Sequence, residues 1–147
     1  MKKLINLFLG LMCFSLICTG CRSGAQLEEV NSSLKEIHKA IFVIIGKPRE
    51  MSRDNKEVFS QYRDNKGNTI AQPDKVRERV HTFVYILGDR RPFSIQVEVI
   101  HEMKNEIGQY TVVKKDEKAA NLLSDKIKAE LAKGRDGQSL IDDFRPF

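Results

Sequence analysis

The sequence predicts a small α+β domain in which a helix, a mostly antiparallel sheet of four to five strands and a second helix follow one another. Apolar residues recur at spacings of three and four near both ends of the predicted domain, which is typical of amphipathic helices. Between them, runs of alternating or β-branched residues separated by turn-forming residues are typical of strands. Residues 26–147 are long enough for one domain with a single core.

The N-terminal residues have the order of an export signal. Lys2 and Lys3 precede an apolar run of 15 residues from Leu4 to Cys18, and small and polar residues follow it. A helix that crosses a membrane needs about 20 apolar residues, so this run is short for a permanent span. We therefore predict that residues 1–20 are a cleaved signal peptide.

The four residues from Cys18 to Cys21, Cys-Thr-Gly-Cys, resemble the lipobox of bacterial lipoproteins, in which a small residue precedes a cysteine that is acylated and becomes the mature N-terminus. The aliphatic residue usual at the first of these positions is replaced by Cys18. The resemblance implies lipidation of Cys21, with residues 21–25 as the anchor and a short linker. It also implies attachment to a membrane through the acyl chains.

The residue after the lipobox bears on location. Arg22 is not the aspartate that commonly retains such lipoproteins at the inner membrane, so the resemblance implies an outer-membrane location facing the periplasm. Two alternatives stay open. The small residues Ser23 and Ala25 suit an ordinary signal peptidase, which would release a soluble protein starting at Gln26, and an uncleaved signal would remain as an anchor.

Cysteine usage and charge exclude several function classes. The three cysteines are Cys13, Cys18 and Cys21, so the mature domain would hold no free thiol, which suits an oxidising envelope. Thiol catalysis, cysteine-type zinc sites and iron–sulfur clusters are excluded. The net charge of +5 falls to about +3 without the two lysines of the signal, and charges of both signs alternate along the chain. This pattern predicts a solvated surface. An exported protein would rarely meet nucleic acid, so we expect no nucleic-acid partner, whereas anionic lipid headgroups remain possible partners.

The first patterned segment of the domain covers residues 26–41. Its apolar positions fall on one helical stripe: Leu27, Val30, Leu34, Ile37 and Ile41. Residues 41–45 are rich in β-branched side chains, so we favour a short buried strand there, although Ile44 and Ile45 also continue the helical stripe. Gly46 followed by Pro48 ends either element, and residues 47–56 are expected to be loop.

Two hairpins are predicted next. Residues 57–63 and 68–72 flank a turn-rich stretch at 64–67 and suggest a small hairpin. Two long strand-like runs then extend from Arg79 to Met103 around a turn at residues 88–92. An even register would place one set of side chains together on the core face: His81, Phe83, Tyr85, Leu87, Phe93, Ile95, Val97, Val99 and His101.

The other face of the first run also carries apolar residues, namely Val80, Val84 and Ile86. Two interpretations of these residues remain open. The run is either a central strand covered on both sides or part of an apolar docking face for a partner or ligand.

The C-terminal part predicts a strand and a helix. Residues 108–115 form the strand, Asp116 suits a helix cap, and Gly134 is placed to end the helix. The stripe of this helix consists of Ala120, Leu123, Ile127 and Leu131. The tail is too apolar to stay in water, so we expect its large residues to pack on the domain or on a partner: Leu140, Ile141, Phe144 and Phe147.

Catalytic and metal-binding patterns are weak. The segment from His101 to Asn105 resembles the start of the zinc-protease motif, but Asn105 stands where the second histidine is needed, and the segment predicts a strand. His81 and His101 would lie close together in an even register and could hold a metal with a third ligand, although hydrogen-bonded histidines at the margin of a core are the simpler interpretation. Nucleophile-elbow and phosphate-loop motifs are absent from the sequence, and we expect no cofactor, no metal and no enzymatic activity.

A basic pair, Arg90 and Arg91, lies at the predicted tip of the long hairpin. Together with Lys114 and Lys115 on a nearby strand it could contact lipid phosphates, although charge that only keeps a turn soluble is the simpler interpretation.

Three functions are consistent with the sequence. The first is an envelope lipoprotein that acts without catalysis as a binding or assembly module for an envelope protein. The second is a carrier of lipid or of another small ligand that uses the apolar sheet face. The third is a metal-binding or hydrolytic exported protein centred on His81 and His101.

Overall fold

The computed structural model describes residues 24–136 and has the predicted α+β architecture. Cys21, the signal segment and the apolar tail residues lie outside this range. The elements in chain order are β1 (Ala25–Val30), α1 (Leu34–Ile45), β2 (Glu50–Met51), β3 (Glu57–Phe59), β4 (Glu78–Leu87), β5 (Phe93–Lys104), β6 (Tyr110–Lys115) and α2 (Glu117–Asp136). The sheet therefore has six strands in the described range, and the two helices lie N-terminal and C-terminal to most of it.

The sheet is antiparallel and has the order β1-β5-β4-β3-β2, with β6 also paired to β5. The central hairpin joins ten residue pairs, from Glu78 opposite Met103 to Leu87 opposite Ser94. At 12 residues, β5 is long enough to have two partners on its other edge. There β1 pairs with Phe93–Val97 and β6 pairs with Ile100–Lys104.

Both helices contribute to the core on one face of the sheet. Helix α2 packs on β5, β1 and α1. The side chains that fill this layer without any exposure include Ile37 and Ile41 of α1 and Ile127 of α2. They meet a fully buried sheet layer of Val58, Val84, Ile86, Ile95 and Val97. Burying each such side chain stabilises the fold by about 1.5–3 kcal/mol, so this face supplies most of the driving force.

The N-terminal prediction was partly wrong. Residues 25–30 form strand β1, because their backbone pairs with β5, and the helix begins only at Leu34. Ser33 caps it by a capping box, in which the Ser33 hydroxyl accepts from the Glu36 amide and the Glu36 carboxylate accepts from the Ser33 amide at 2.6 Å. The first helix is thus shorter than its apolar stripe suggested.

Residues 41–45 are helical, so the strand favoured for them was wrong. Ile41 and Ile45 are buried together with Ile37, which shows that the 3.6-residue stripe governs this segment rather than its β-branched composition. The helix ends at Gly46, which has a φ of 82° and donates its amide to the Phe42 carbonyl. After the helix, strand β2 occupies two residues of segment 47–56, which was expected to be loop.

The predicted register of the long hairpin was also wrong. Odd-numbered residues of β4 lie opposite even-numbered residues of β5, as in His81 opposite Ile100. The core face therefore carries Val84 and Ile86 of β4 opposite Val97 and Ile95 of β5. This register places these four apolar side chains together on the helix side, whereas the even register would have divided them between the two faces.

The later elements agree better with the sequence. The turn at residues 64–67 is bridged between Arg63 and Thr69, although β3 itself pairs with β2 and β4. Asp116 caps α2 by accepting from the Ala119 amide at 3.0 Å, as predicted. Helix α2 continues past Gly134, where a stop was expected. No helix within residues 24–136 combines the length and apolar character needed to cross a membrane.

Candidate functional site: the open face of the sheet

The face of the sheet opposite the helices, which we call the open face, carries the odd-numbered residues of β4 and the even-numbered residues of β5. The loop between β3 and β4 lies over one end of this face. It is tied there by Tyr110 of β6, whose hydroxyl lies 2.7 Å from the Pro73 carbonyl and also contacts the Val76 carbonyl. The open face therefore has a covered end near β6 and an uncovered end toward the β4–β5 turn.

At the covered end, two arginines and two tyrosines form a cation–π stack, consisting of Arg49, Tyr62, Arg79 and Tyr110. The Arg49 and Arg79 Cζ atoms each lie 4.0 Å from the centroid of the Tyr62 ring. Arg79 Cζ also lies 3.5 Å from the Tyr110 ring. Such contacts contribute about 0.5–1 kcal/mol when exposed and about 2 kcal/mol when desolvated. The stack fixes the β3–β4 loop to the sheet.

Arg79 is the buried centre of this stack. Its Nε donates to Glu102 Oε2 at 2.6 Å, and its Nη1 lies 3.4 Å from Asp74 Oδ1. Arg79 and Glu102 are directly opposite each other on β4 and β5. A buried guanidinium requires an anionic partner, and Glu102 supplies it.

His81 lies beside this ion pair and is buried. Its ring meets Tyr62 edge-on at 5.4 Å, and its Nδ1 is 3.9 Å from Glu102 Oε2, beyond hydrogen-bond distance. Within residues 24–136 that Nδ1 has no hydrogen-bond partner. Burial lowers the pKa of His81 below 6.5, Arg49 and Arg79 lower it further, and Glu102 opposes them. The ring is therefore neutral near pH 7.

At the uncovered end lies the aromatic row, which consists of Phe59, Phe83 and Tyr85. The Phe59 and Phe83 rings stack at 4.7 Å, and the Phe83 and Tyr85 rings at 6.2 Å. All three side chains are half-buried. Glu98 and Gln96 of β5 pair with Phe83 and Tyr85, so polar groups border the row on one side. Both helices lie on the other face, so no described helix covers the row.

The docking face expected from Val80, Val84 and Ile86 is not a surface. Val84 and Ile86 are fully buried beneath the helices, and Val80 is half-buried. The central-strand interpretation holds for the position of β4, which lies between β3 and β5 with its even-numbered residues pointing into the core, but the helices cover only this one face of the strand. The side chains assigned to the core by the even register, Phe83 and Tyr85, are those on the open face.

The register also separates the two histidines that were expected to meet. His81 lies on the open face, whereas His101 is opposite Val80 on the helix face, with its Nε2 3.7 Å from Asp116 Oδ2. Neighbouring strand positions point to opposite sides of a sheet, so these histidines cannot share a metal. In the part of the chain that the structure describes, no group of three histidine, cysteine or acidic side chains is arranged to hold one.

Arg90 and Arg91 are exposed in the β4–β5 turn. Lys114 and Lys115 lie opposite His101 and Ile100, at least seven residues along β5 from that turn. At about 3.3 Å per residue this is more than 20 Å, so the two basic pairs do not form one anion site. Cys21, the expected lipidation site, lies outside the described residues.

A second surface feature is the α1 groove, a shallow, open depression of about 650 Å³ on the outer side of α1. Its lining residues are Leu34, Lys35, His38, Lys39, Phe42, Val43 and Asn55. His38 Nε2 is 2.6 Å from the Asn55 carbonyl and closes one side. The groove is mostly apolar, with two lysines among its residues.

Sequence reasoning missed most of the open face. The cation–π stack joins side chains from three separate segments, namely Arg49, Tyr62 and Tyr110, and no local sequence pattern predicts that they stack. The row of Phe59, Phe83 and Tyr85 was available from the sequence only with the correct register. Comparisons with protein-family models, with curated proteins and with solved structures find no match for this chain.

Proposed function

We propose that this protein is an envelope lipoprotein, anchored through an acylated Cys21, that acts without catalysis as a binding or assembly module for an envelope protein. The observation that carries the binding role is the aromatic row on the uncovered end of the open face. The anchor rests on the lipobox-like sequence that ends at Cys21.

The composition of the open face supports a protein partner. Tyr, Phe and Arg are enriched at protein interfaces, and the residues that dominate binding energy are mostly Trp, Tyr and Arg. The aromatic row offers rings that need little further ordering, and Arg49 lies beside it with its Cζ 6.0 Å from the Phe59 ring. Gln96 and Glu98, whose side chains hydrogen-bond to each other at 3.2 Å, form a polar margin on the β5 side of the row.

The buried polar cluster supports a structural role rather than a catalytic one. Arg79 and Glu102 satisfy each other, and the β3–β4 loop covers them. A general acid or base needs access to a substrate proton, which this covered arrangement does not offer. This favours recognition over catalysis as the role of the open face.

Intact mass of the membrane-fraction protein tests the anchor. We expect a diacyl or triacyl mass on a chain that starts at Cys21, and loss of that mass in Cys21→Ser. An unmodified chain starting at Gln26 would instead make the protein a soluble export product.

Photo-crosslinking tests the partner. The crosslinking residue p-benzoylphenylalanine replaces Phe83 in the aromatic row or, as a matched control, Phe42 in the α1 groove; both positions are half-buried phenylalanines. We expect position 83 to capture one identified envelope protein that also co-purifies in stoichiometric amount. Phe83→Ser should lose this complex and Phe42→Ser should keep it. A complex that survives Phe83→Ser would contradict the assignment to the open face.

The α1 groove favours a second candidate function, the carriage of a small apolar ligand, because Leu34, Phe42 and Val43 line it. Native mass spectrometry of the purified protein would then show a bound small molecule that Phe42→Ser loses and Phe83→Ser retains. A ligand-free mass for the freshly isolated protein would remove this candidate.

A further inference from the structure

Strand β6 exposes apolar side chains along an edge of the sheet. Among residues 24–136, β6 pairs only with β5, and five of its six residues are exposed. Val112 and Val113 are 55% and 53% exposed, and Ile107 at the tip of the β5–β6 hairpin is 77% exposed. We call Ile107, Val112, Val113, Lys114 and Lys115 the β6 edge. Exposed valines on a free edge strand favour unwanted pairing unless something covers them.

The N-terminal end of the described chain lies on the same edge of β5. A Cβ placed on Gly24 would lie 3.0 Å from the Val97 carbonyl oxygen and 3.1 Å from Glu98 Cγ. Glu98 in turn accepts from Lys115 Nζ at 2.9 Å. The chain that leads from Cys21 therefore enters the domain beside the C-terminal end of β6.

The chain between the lipidated cysteine and the domain is short. Only Arg22 and Ser23 separate Cys21 from Gly24. An extended chain spans at most about 3.6 Å per residue, so Gly24 lies within about 11 Å of the acylated cysteine. The surfaces beside Gly24 are therefore those held closest to the bilayer.

We infer that the β6 edge lies against the lipid bilayer, with its apolar side chains at the boundary between headgroups and acyl chains and its lysines among the phosphates. This inference rests on the proposed acylation of Cys21. Val112, Val113 and Ile107 suit an interfacial position, in which apolar side chains enter the headgroup region without spanning the membrane. The Lys114 side chain is well exposed, and basic residues next to a membrane attract anionic headgroups.

The internal ion pairs of the lysines do not oppose this placement. Lys114 lies 3.2 Å from Asp116 Oδ2 and Lys115 2.9 Å from Glu98 Oε2, so each carboxylate positions an ammonium at the edge. An ammonium has three donors, and one such contact leaves others for a phosphate. In this orientation the sheet stands on its β1/β6 edge, and the aromatic row faces sideways into the aqueous compartment.

Depth-dependent fluorescence tests the orientation. The mature domain carries no free thiol after acylation of Cys21, so a single introduced cysteine labels one site. We use Val113→Cys on the β6 edge and Val43→Cys on α1, which are matched in type and in exposure at 53% and 57%. Each acylated, labelled protein is inserted into vesicles of phosphatidylethanolamine and phosphatidylglycerol that contain a lipid with a nitroxide near the headgroup.

The expected result is quenching several-fold stronger at position 113 than at position 43, with a blue-shifted emission at 113 only. Equal quenching at the two sites in protein of confirmed acyl mass would overturn the orientation and leave the proposed anchor intact. Failure to find the acyl mass would instead reject the anchor. A label at 113 that is shielded without quenching, together with disulfides that form between copies of the unlabelled Val113→Cys protein under air oxidation, would overturn the inference in favour of pairing between β6 edges.

Discussion

At the scale of single residues, the Arg79–Glu102 pair is the most demanding contact of the open face. Replacing Arg79 with Ala leaves the half-buried Glu102 carboxylate without its 2.6 Å partner and removes the cation–π contacts with two tyrosines. We expect a loss of about 2–3 kcal/mol in the free energy of unfolding, somewhat below a fully buried pair because Glu102 keeps some solvent. Denaturant titration measures this loss.

A control for Arg79→Ala is available at the β4–β5 turn. Arg90 is exposed there, so Arg90→Ala should change the free energy of unfolding by less than about 0.5 kcal/mol. Equal losses in the two variants would mean that the buried ion pair does not stabilise the fold.

His81 gives the domain a pH-dependent stability. Burial lowers the pKa of His81 in the folded state below 6.5. At pH values between this lower pKa and that of the unfolded chain, the unfolded chain therefore binds a proton that the folded chain does not. The contribution of His81 to the free energy of unfolding is constant above the pKa of the unfolded chain. It is lost progressively as pH falls below about 6.5 toward the lower pKa of the folded chain. We expect His81→Leu, which also removes the unpartnered Nδ1, to flatten this part of the stability curve.

The measurement for His81 is denaturant unfolding at several pH values between about 5 and 8, the range in which histidine titrates. Asp116, whose pKa is lowered by its contacts with the Ala119 amide and Lys114, contributes only at more acidic pH, so it does not confuse the comparison. An unchanged slope in His81→Leu would show that other groups cause the loss.

At the scale of elements, the capping box decides where the first helix begins. The apolar stripe alone runs from Leu27 to Ile41, yet the chain is a strand until Val30 and a helix only after Ser33. Ser33 and Glu36 have the spacing of a capping box and were legible in the sequence. The stripe dominated the prediction because Leu27 and Val30 face the core from a strand as well as they would from a helix.

Removing the cap should therefore weaken α1 measurably. Ser33→Ala deletes the hydroxyl that accepts from the Glu36 amide, and we expect a loss of about 1 kcal/mol in the free energy of unfolding. Asn31→Ala, an exposed polar residue two positions earlier, is the control and should change little. Equal effects would mean that the box is dispensable and that packing alone holds the helix.

Register explains why the sequence predicted the central hairpin but not its faces. Strand identity follows from composition, and both β4 and β5 were predicted. Their pairing depends on how many residues the turn consumes, and a shift by one residue exchanges the faces. The sequence did carry one clue: only the observed register gathers Val84, Ile86, Ile95 and Val97 on one side. The cation–π stack had no such clue, because its members come from different loops and strands.

At the scale of the whole molecule, the two faces of the sheet differ in composition and in the roles that we assign to them. The helix face holds the fully buried apolar layer, so large changes there cost stability. The open face has one end held by the β3–β4 loop and another end where the aromatic row lies. Stability and the proposed recognition are thereby placed on different side chains of the same strands, and Phe83→Ser can alter binding while the Val84 side of β4 stays packed.

In the proposed anchored protein the short linker holds the domain close to the membrane, and lengthening it separates the two proposals. We insert about ten Gly and Ser residues between Ser23 and Gly24, which adds a flexible reach of roughly 18 Å. Acylation at Cys21 should persist, and quenching at position 113 should fall toward that at position 43. Capture of the partner from position 83 should continue if the open face binds at any distance from the bilayer. Intact mass, lipid quenching and crosslinking in the same variant measure all three.

If quenching at 113 is unchanged, the β6 edge binds lipid through its own affinity rather than through tethering. If capture at 83 is lost, the partner is reached only at a fixed distance from the bilayer.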